Sequence, residues 1–464
     1  MDLNEGQKAA YKGISDAVYD NDGLTILLQG PAGTGKTAVL GRILQGYMQS
    51  TEGATNPGFD PYGRQLPGKL CVAAMSHKAK GEVARSLANY GITDHPIITC
   101  DQLLKARPVV DPDTRKKVTM RQQMPLDPTY RFIVIDEVSM MNQQYFDWLL
   151  EWKHDWQTIL FIGDKAQLPP VSDGNLCKVF TDCDLTFDLT QVMRHEGCIL
   201  DACNQVRKFG VGFPRLESAK DDQGEVQVFN NKEEYLESLY KAAETDPDLT
   251  VVCHTNANVH MVNNEIHKRR YRGIDLPFVS GEHVMAARAI EHPSSSHPLV
   301  PSSMDMKVVN CEPARLDLGL LAPHDLRGLE AVRSLLGTDG DTDVYRCHRV
   351  IAEFNAQDVS FYVFNHHQGE KKKFEATQEL LKSYADDRSR VPSVRQALNR
   401  FILWREKHFA SVHLSAAMTI HKAQGSSFER VWVFPDIPKR NTKASNQLAY
   451  VACSRAKRKL VLCD

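Results

Sequence analysis

The chain lacks a charge excess of either sign: 56 lysines and arginines stand against 58 aspartates and glutamates, a formal net charge of -2 over 464 residues. Such a balance gives no global field for a polyanion, so any nucleic-acid contact must come from local patches. Long apolar runs are also missing. No stretch nears the roughly 18 residues that a spanning helix needs, and the mean hydropathy is -0.38, which argues against a membrane-embedded chain. The first residues, MDLNEGQKAAYKG, contain no apolar h-region and do not read as a secretory signal. The 11 cysteines are scattered singly, with no C-x-x-C pair. They read as reduced, mostly buried thiols of a cytosolic protein, and the odd count speaks against a complete disulfide framework. No internal repeat of fixed period is visible.

What is present is globular composition, 42% hydrophobic and 25% charged, with room for about three domains. Apolar runs of strand length at 24–29, 70–75, 132–135 and 158–162 alternate with helical patterns at 36–48, 78–90 and 142–152. That alternation predicts a buried, largely parallel sheet. A second set at 250–253, 412–417, 431–434 and 459–462 is enough for another α/β domain. Within it, the segment 280–411 carries short alternating runs at 345–351 and 357–364, read as a β-rich insertion. From 371 to 408 the pattern turns helical and charged, with Leu380, Leu381, Leu398, Phe401, Ile402 and Trp404 as apolar positions. Residues 51–68 and 291–303 read as surface loops.

Gly30-Pro31-Ala32-Gly33-Thr34-Gly35-Lys36-Thr37 fits G-x-x-x-x-G-K-T between a strand and a helix. Gly30, Gly33 and Gly35 let backbone N–H groups close around phosphates at the positive end of a helix. Lys36 can reach the β and γ phosphates, and the Thr37 hydroxyl can ligate Mg²⁺. Phe132-Ile133-Val134-Ile135-Asp136-Glu137 is an apolar strand ending in two carboxylates. Asp136 suits the metal, leaving Glu137 to polarise an attacking water. These features predict a nucleoside triphosphatase using Mg²⁺ and no more.

The run Val134-Ile135-Asp136-Glu137-Val138-Ser139-Met140, followed by Gly163-Asp164-Lys165-Ala166-Gln167-Leu168-Pro169-Pro170-Val171, resembles superfamily 1 DNA helicases of the RecD-like and Dda-like branch. Further motifs follow in that family's order: Leu189-Thr190-Gln191-Val192-Met193-Arg194, Thr255-Asn256-Ala257-Asn258-Val259, Thr419-Ile420-His421-Lys422-Ala423-Gln424-Gly425-Ser426 and Tyr450-Val451-Ala452-Cys453-Ser454-Arg455. The resemblance implies an α/β fold of two RecA-like P-loop motor domains. The first would span 1–178 with a β-hairpin pin at 101–125, and the second 179–284 and 412–464. An SH3-like β-barrel with a helical extension at about 371–408 would fill 285–411.

By the same resemblance Gln7 reads adenine, Gln167 senses the γ-phosphate, and Arg194 and Arg455 act as arginine fingers, a role that suits a fixed bidentate fork. Single-stranded DNA would meet Ser76, His77, Thr99, Thr255, Asn256, Thr419 and His421, short polar groups fit for phosphate and sugar contacts. Asp101 stands where the family commonly has a histidine, and Ser76 where threonine is usual. Between Lys439 and Lys459 there are seven basic residues and no acidic one, a local patch for the DNA or a solvated basic face. The alternating stretches of 106–123 flank Asp111-Pro112-Asp113-Thr114, a hairpin turn without an aromatic residue. The implied activity is ATP-dependent 5'-to-3' translocation on single-stranded DNA with unwinding of forked duplex. The alternative is a DNA-stimulated ATPase that strips protein–DNA complexes without unwinding. A cytoplasmic monomer in a bacterial or phage-infected cell, with a single-strand-binding protein as candidate partner, completes the expectation.

Overall fold

The computed structural model describes residues 3–20, 23–31, 33–52, 58–59, 65–66, 69–93, 95–110, 117–121, 124–170, 176–191, 197–292, 298–321, 343–365, 367–387, 389 and 391–464. Its Cα packing separates two compact units: Met1–Ala242 with Asp248–Val259 and Met418–Asp464, and Ala243–Pro247 with His260–Ala417.

The first unit holds two six-stranded sheets. In the first sheet the spatial order is Leu185–Asp188, Thr25–Gln29, Thr158–Gly163, Tyr130–Asp136, Lys69–Ala74 and Ile97–Thr99, with every neighbour parallel. Both faces are covered, so consecutive strand residues serve opposite layers and the strands read as continuous apolar runs. Ile26, Leu28, Val72, Val134 and Leu160 meet Ile14, Val39, Ile43 and Leu44 on one face. Leu27, Cys71, Ile133, Ile135 and Phe161 meet Phe146 and Leu149 on the other. The order matters for chemistry. Three adjacent strands end side by side in the phosphate loop, in Asp164, and in Asp136–Glu137, at the carboxyl edge where ligands of such sheets collect.

The second sheet runs Ala219–Lys220, Glu225–Phe229, Ala456–Cys463, Phe428–Val433, Thr250–Cys253 and Ala417–Thr419. Its Glu225–Phe229, Ala456–Cys463, Phe428–Val433 and Thr250–Cys253 pairings are parallel. Helix Lys443–Cys453 leads into the strand Ala456–Cys463 and is buried from Ser445 onward. Thr442 caps its start by accepting from Ser445 N at 3.2 Å. Together the sheets give the expected α/β class with RecA-like parallel cores.

The second unit is built on an antiparallel sheet ordered Gln357–Val363, Val344–Phe354, Asp305–Asp317, His283–Ala286 and Val412–Leu414, at the place of the expected β-rich insertion. Helices Gln368–Asp386 and Pro392–Glu406 pack through Leu381, Ala385, Leu398 and Phe401, which matches the charged helical stretch. Arg405 is fully buried there, 2.9 Å from Asp343 and 2.8 Å from the Tyr345 hydroxyl. Its Nε and Nη1 have no hydrogen-bond partner and face the rings of Phe374, Phe401 and Tyr345. Cation–π attraction replaces part of the lost solvation.

Two readings of the sequence are corrected. The run 412–417 is two strands rather than one: Val412–Leu414 closes the antiparallel sheet and Ala417–Thr419 joins the parallel one. The buried Asn263 amide takes up the backbone groups freed at the break, donating to Leu414 O and Ala417 O and accepting from Ala417 N. The stretch 291–303 contains a strand, Pro298–Val300, paired with Ile290–Glu291. Within 51–68, Gly58–Phe59 pairs with Gln65–Leu66, and most of the rest lies outside the described residues. All eleven cysteines are free and nine are buried. Among the described residues no helix is long and apolar enough to cross a membrane.

Candidate functional site

Strand Thr25–Gln29 delivers the phosphate loop, and helix Lys36–Glu52 begins at Lys36 itself. Gly33 and Gly35 adopt φ of +83° and +77°, a region that only glycine enters without strain. A Cβ on Gly35 would lie 2.3 Å from Gln7 Nε2, and one on Gly30 would lie 2.4 Å from Leu189 O. Thr34 is fully buried and its hydroxyl donates to Pro31 O. Lys36 Nζ donates to Gly30 O at 2.8 Å and to Pro31 O at 3.0 Å. Burial lowers the Lys36 ammonium, while Asp164, then Glu137 and Asp136, hold it up.

Gln7 is buried against this loop. Its Nε2 donates to Thr34 O at 2.9 Å, and its Oε1 accepts from Asn4 N. Both ends of the amide are therefore engaged within the fold, and Gln7 braces the loop that it precedes by nearly thirty residues.

Asp136 ends its strand with Oδ1 accepting from Glu137 N. Burial and the adjacent Glu137 push its carboxyl up to about 7. Glu137 itself sits at φ +57°, a left-handed conformation that is costly for a side-chain-bearing residue and concentrates at functional sites. Two crowded carboxylates facing a lysine, beside a glycine cradle at a helix start, are a donor set that fits a divalent cation carrying a polyphosphate. Among the described residues no group of three or more histidine, cysteine, aspartate or glutamate side chains is arranged for a metal. Asp136 and Thr37 would thus share such a cation with phosphate oxygens.

The second sheet reaches this edge. Gln424 Nε2 donates to Gln167 Oε1 at 3.2 Å, to Ser139 Oγ at 3.1 Å and to Leu168 O at 3.4 Å. Gln447 Nε2 donates to Gln167 O, and the Tyr450 hydroxyl donates to Asp164 Oδ2. Arg455 is buried, held by Val451 O, Ser426 O and Ser454 Oγ; burial lowers its guanidinium and Glu137 opposes that. Lys36, Asp136, Glu137, Gln167 and Arg455 are thus brought to one place. Arg194 lies outside the described residues.

A family model described as an AAA domain matches residues 2–230, and one described as a UvrD-like helicase C-terminal domain matches residues 414–463. The ATP-dependent DNA helicase dda of Enterobacteria phage T4 is 25% identical over 476 residues, covering 98% of each chain. Along nearly its whole length the chain is similar to superfamily 1 helicases of the RecD-like and Dda-like branch. The RecBCD enzyme subunit RecD of Mycobacterium tuberculosis is 23% identical to this chain over 95% of its length and 66% of RecD. A solved Pif1 helicase structure, from a study of DNA unwinding at forked duplex DNA by two coordinating Pif1 helicases, superposes with a TM-score of 0.50 at 15% identity. It covers 100% of this chain and 92% of that one and shows the shared fold.

The expected strand contacts lie at helix starts. Ser76 Oγ accepts from Ala79 N, Thr99 Oγ1 from Gln102 N, Thr255 Oγ1 from Asn258 N and Thr419 Oγ1 from Lys422 N. Each hydroxyl therefore has a capping task of its own. Thr99 and Thr419 are buried, while Thr255 and Asn256 are exposed. Burial lowers both His77 and His421, with Lys80 and His254 adding like charge. Asp101 accepts from the Tyr145 hydroxyl. Sequence reasoning missed Lys78 and Lys422, one from each sheet's helix start. Burial and then Lys78 lower the Lys422 ammonium, so two cations crowd one another there.

The basic segment is thinner than its sequence suggests. Lys457 pairs with Glu429 and Lys459 with Glu225, while Arg455 is buried. Lys439, Arg440, Lys443 and Arg458 remain exposed. The hairpin of 106–123 is present as antiparallel strands Ala106–Val110 and Lys117–Arg121, and its turn 111–116 lies outside the described residues.

Proposed function

We propose that the chain is an ATP-driven motor that moves 5'-to-3' on single-stranded DNA and unwinds forked duplex. The observation that carries the reading is one nucleotide edge built from two parallel sheets, with Lys36, Asp136 and Glu137 on one and Gln424 and Arg455 on the other. Each sheet with its helices is read as a motor domain, with expected bounds of 1–178 for the first, 179–284 with 412–464 for the second and 285–411 as the insertion in the second, while strand Leu185–Asp188 carries the first sheet past 178. When bound, Mg²⁺ held by Thr37 and Asp136 supplies countercharge for the ATP phosphates. Lys36 binds the phosphates, and Glu137 orients the attacking water and takes its proton. Arg455, with Arg194 as its partner, meets charge developing on the transferred phosphoryl group. Gln167, bonded to Gln424, reports the γ-phosphate to the second sheet. Gln7 braces the loop through Thr34, and the same amide is the group suited to adenine. The functional unit is a monomer, with a single-strand-binding protein as candidate partner.

The strand track is assigned to the helix starts at Ser76–His77, Thr99, Thr255–Asn256 and Thr419–His421. At the two longer helices, His77–Ala88 and Asn256–Arg270, N–H groups and the helix dipole favour phosphate even when the hydroxyl serves as the cap. Lys78 and Lys422 bring positive charge to these helix starts. Lys422→Ala is expected to weaken single-stranded DNA binding about five- to tenfold near 0.1 M salt and to lower the salt slope by about 1. Fluorescence anisotropy against salt concentration measures this, and an unchanged slope removes Lys422 from the track.

Polarity rests on the family branch. Duplexes bearing a 5' single-stranded tail are expected to be unwound with ATP, and duplexes bearing only a 3' tail to stay paired. Strand-displacement assays on the two substrates decide it, since activity confined to the 3' tail reverses the assignment.

A further inference from the structure

We propose that Tyr450 and Arg207 clamp the Asp164 carboxylate so that it does not compete with phosphate for Lys36, which makes both of them positioning residues of the nucleotide site. The inference rests on the reading of that site as an ATPase centre.

Asp164 follows the strand Thr158–Gly163, which lies between the strand of the phosphate loop and the strand of Asp136. Gly30 N donates to Gly163 O at 3.2 Å, which fixes the loop beside it. The Asp164 side chain is fully buried. A buried carboxylate persists only where its lone pairs are met. Ala166 N donates to Oδ1 at 3.0 Å from its own turn. The other partners come from the second sheet's helices: the Tyr450 hydroxyl, 2.9 Å from Oδ2, and Arg207 Nη2, 3.7 Å from Oδ1. The Arg207 guanidinium also lies 6.0 Å from the centroid of the Tyr450 ring, so the three side chains form one cluster.

Both partners are held in place. Asn446, on the same helix as Tyr450, donates to Val206 O at 2.6 Å and to Gly212 O at 3.0 Å, joining helix Lys443–Cys453 to helix Cys198–Phe209 at the residue before Arg207. Gln447 and Tyr450, one turn apart, face Gln167 and Asp164 respectively. A phenol placed in so buried a helix needs a partner for its hydroxyl, and Asp164 is that partner.

Two cations can neutralise Asp164. One is Lys36, for which Asp164 is the foremost of the carboxylates opposing the effect of burial. The other is Arg207. While Tyr450 and Arg207 hold the carboxylate, Lys36 donates to loop carbonyls and is available to a phosphate. Without them Asp164 turns to Lys36 and takes the cation that ATP needs. Docking of the second sheet's helices is thereby read at the phosphate loop through one carboxylate.

The test is steady-state ATP hydrolysis at saturating single-stranded DNA with the full chain. Tyr450→Phe is expected to raise KM for ATP about tenfold with kcat within about twofold, the pattern of lost uniform phosphate binding. Arg207→Gln gives the same change and stands in if Tyr450→Phe does not fold, whereas Arg207→Lys restores most of the affinity. The decisive variant is Tyr450→Phe with Asp164→Asn, because removing the competing charge should return KM to within about twofold of the parent, a non-additive coupling. A KM unmoved by Tyr450→Phe and Arg207→Gln overturns the clamp, and so does a rise that persists undiminished in the double variant. An inactive Asp164→Asn overturns it too, by showing that the carboxylate is itself required. A parent chain without ATPase activity would instead sink the proposed function.

Discussion

Lys36→Ala leaves a folded protein whose ATP hydrolysis is reduced by about a thousandfold or more, and unwinding disappears with it. The size follows from the charges at the loop. Asp136, Glu137 and Asp164 all act on the Lys36 ammonium, and without it they would face an incoming polyphosphate as an array of negative charge. Arg455 is tied to Val451 O, Ser426 O and Ser454 Oγ and reaches the site from the other sheet, so it cannot take over binding to the loop. The fold tolerates the change. Alanine is the best helix former, Lys36 is the first residue of its helix, and its amine serves carbonyls that the loop can turn to phosphate or solvent. Thermal unfolding within a few degrees of the parent, measured beside kcat, separates lost chemistry from lost structure. A residual kcat within about tenfold of the parent would remove Lys36 from the phosphate-binding role.

The parts of this site that the sequence made legible are contiguous in it. The phosphate loop, the apolar strand ending in Asp136–Glu137 and the Gly163-to-Gln167 turn each carry their chemistry within a few residues, and strand order alone brings them together. What joins the two sheets was not legible, because it consists of single side chains far apart in the chain. Gln424 reaches Gln167 across 257 positions, and Tyr450 reaches Asp164 across 286. A faint signal existed in the one-turn spacing of Gln447 and Tyr450 along helix Lys443–Cys453. Charge counting misled in the opposite direction: Lys457 and Lys459 belong to ion pairs, and the partners Glu429 and Glu225 lie outside the window that was counted. The run 412–417 read as one strand because periodicity cannot register that a buried amide, Asn263, lets the chain change sheets in its middle.

Replacing residues 110–115 by a short glycine linker abolishes unwinding while DNA-stimulated ATP hydrolysis stays within about twofold of the parent, because a hairpin's tip can be removed without touching its base. The base is where this hairpin is secured. Lys105 turns the chain out of helix Cys100–Leu104 in a left-handed conformation at φ +51°. Arg121, at the far end of the ladder, lies with its guanidinium 4.6 Å from the Trp152 ring centroid and donates to Met124 O. Five residue pairs, from Ala106 with Arg121 to Val110 with Lys117, run outward from that anchorage. An isolated two-stranded ribbon is marginal in water, so its rigidity comes from this base. With no aromatic residue in 110–115 to stack on a splitting base pair, the segment would part strands as a steric wedge, and a flexible linker cannot wedge. Paired measurements of strand displacement and ATPase rate on one forked substrate separate the outcomes. Unwinding that survives the replacement removes the hairpin from strand separation, whereas an ATPase rate that falls in step places the segment in the motor itself. Lost unwinding with a running motor distinguishes a helicase from an ATPase that only strips proteins from DNA, since the latter has no use for a wedge.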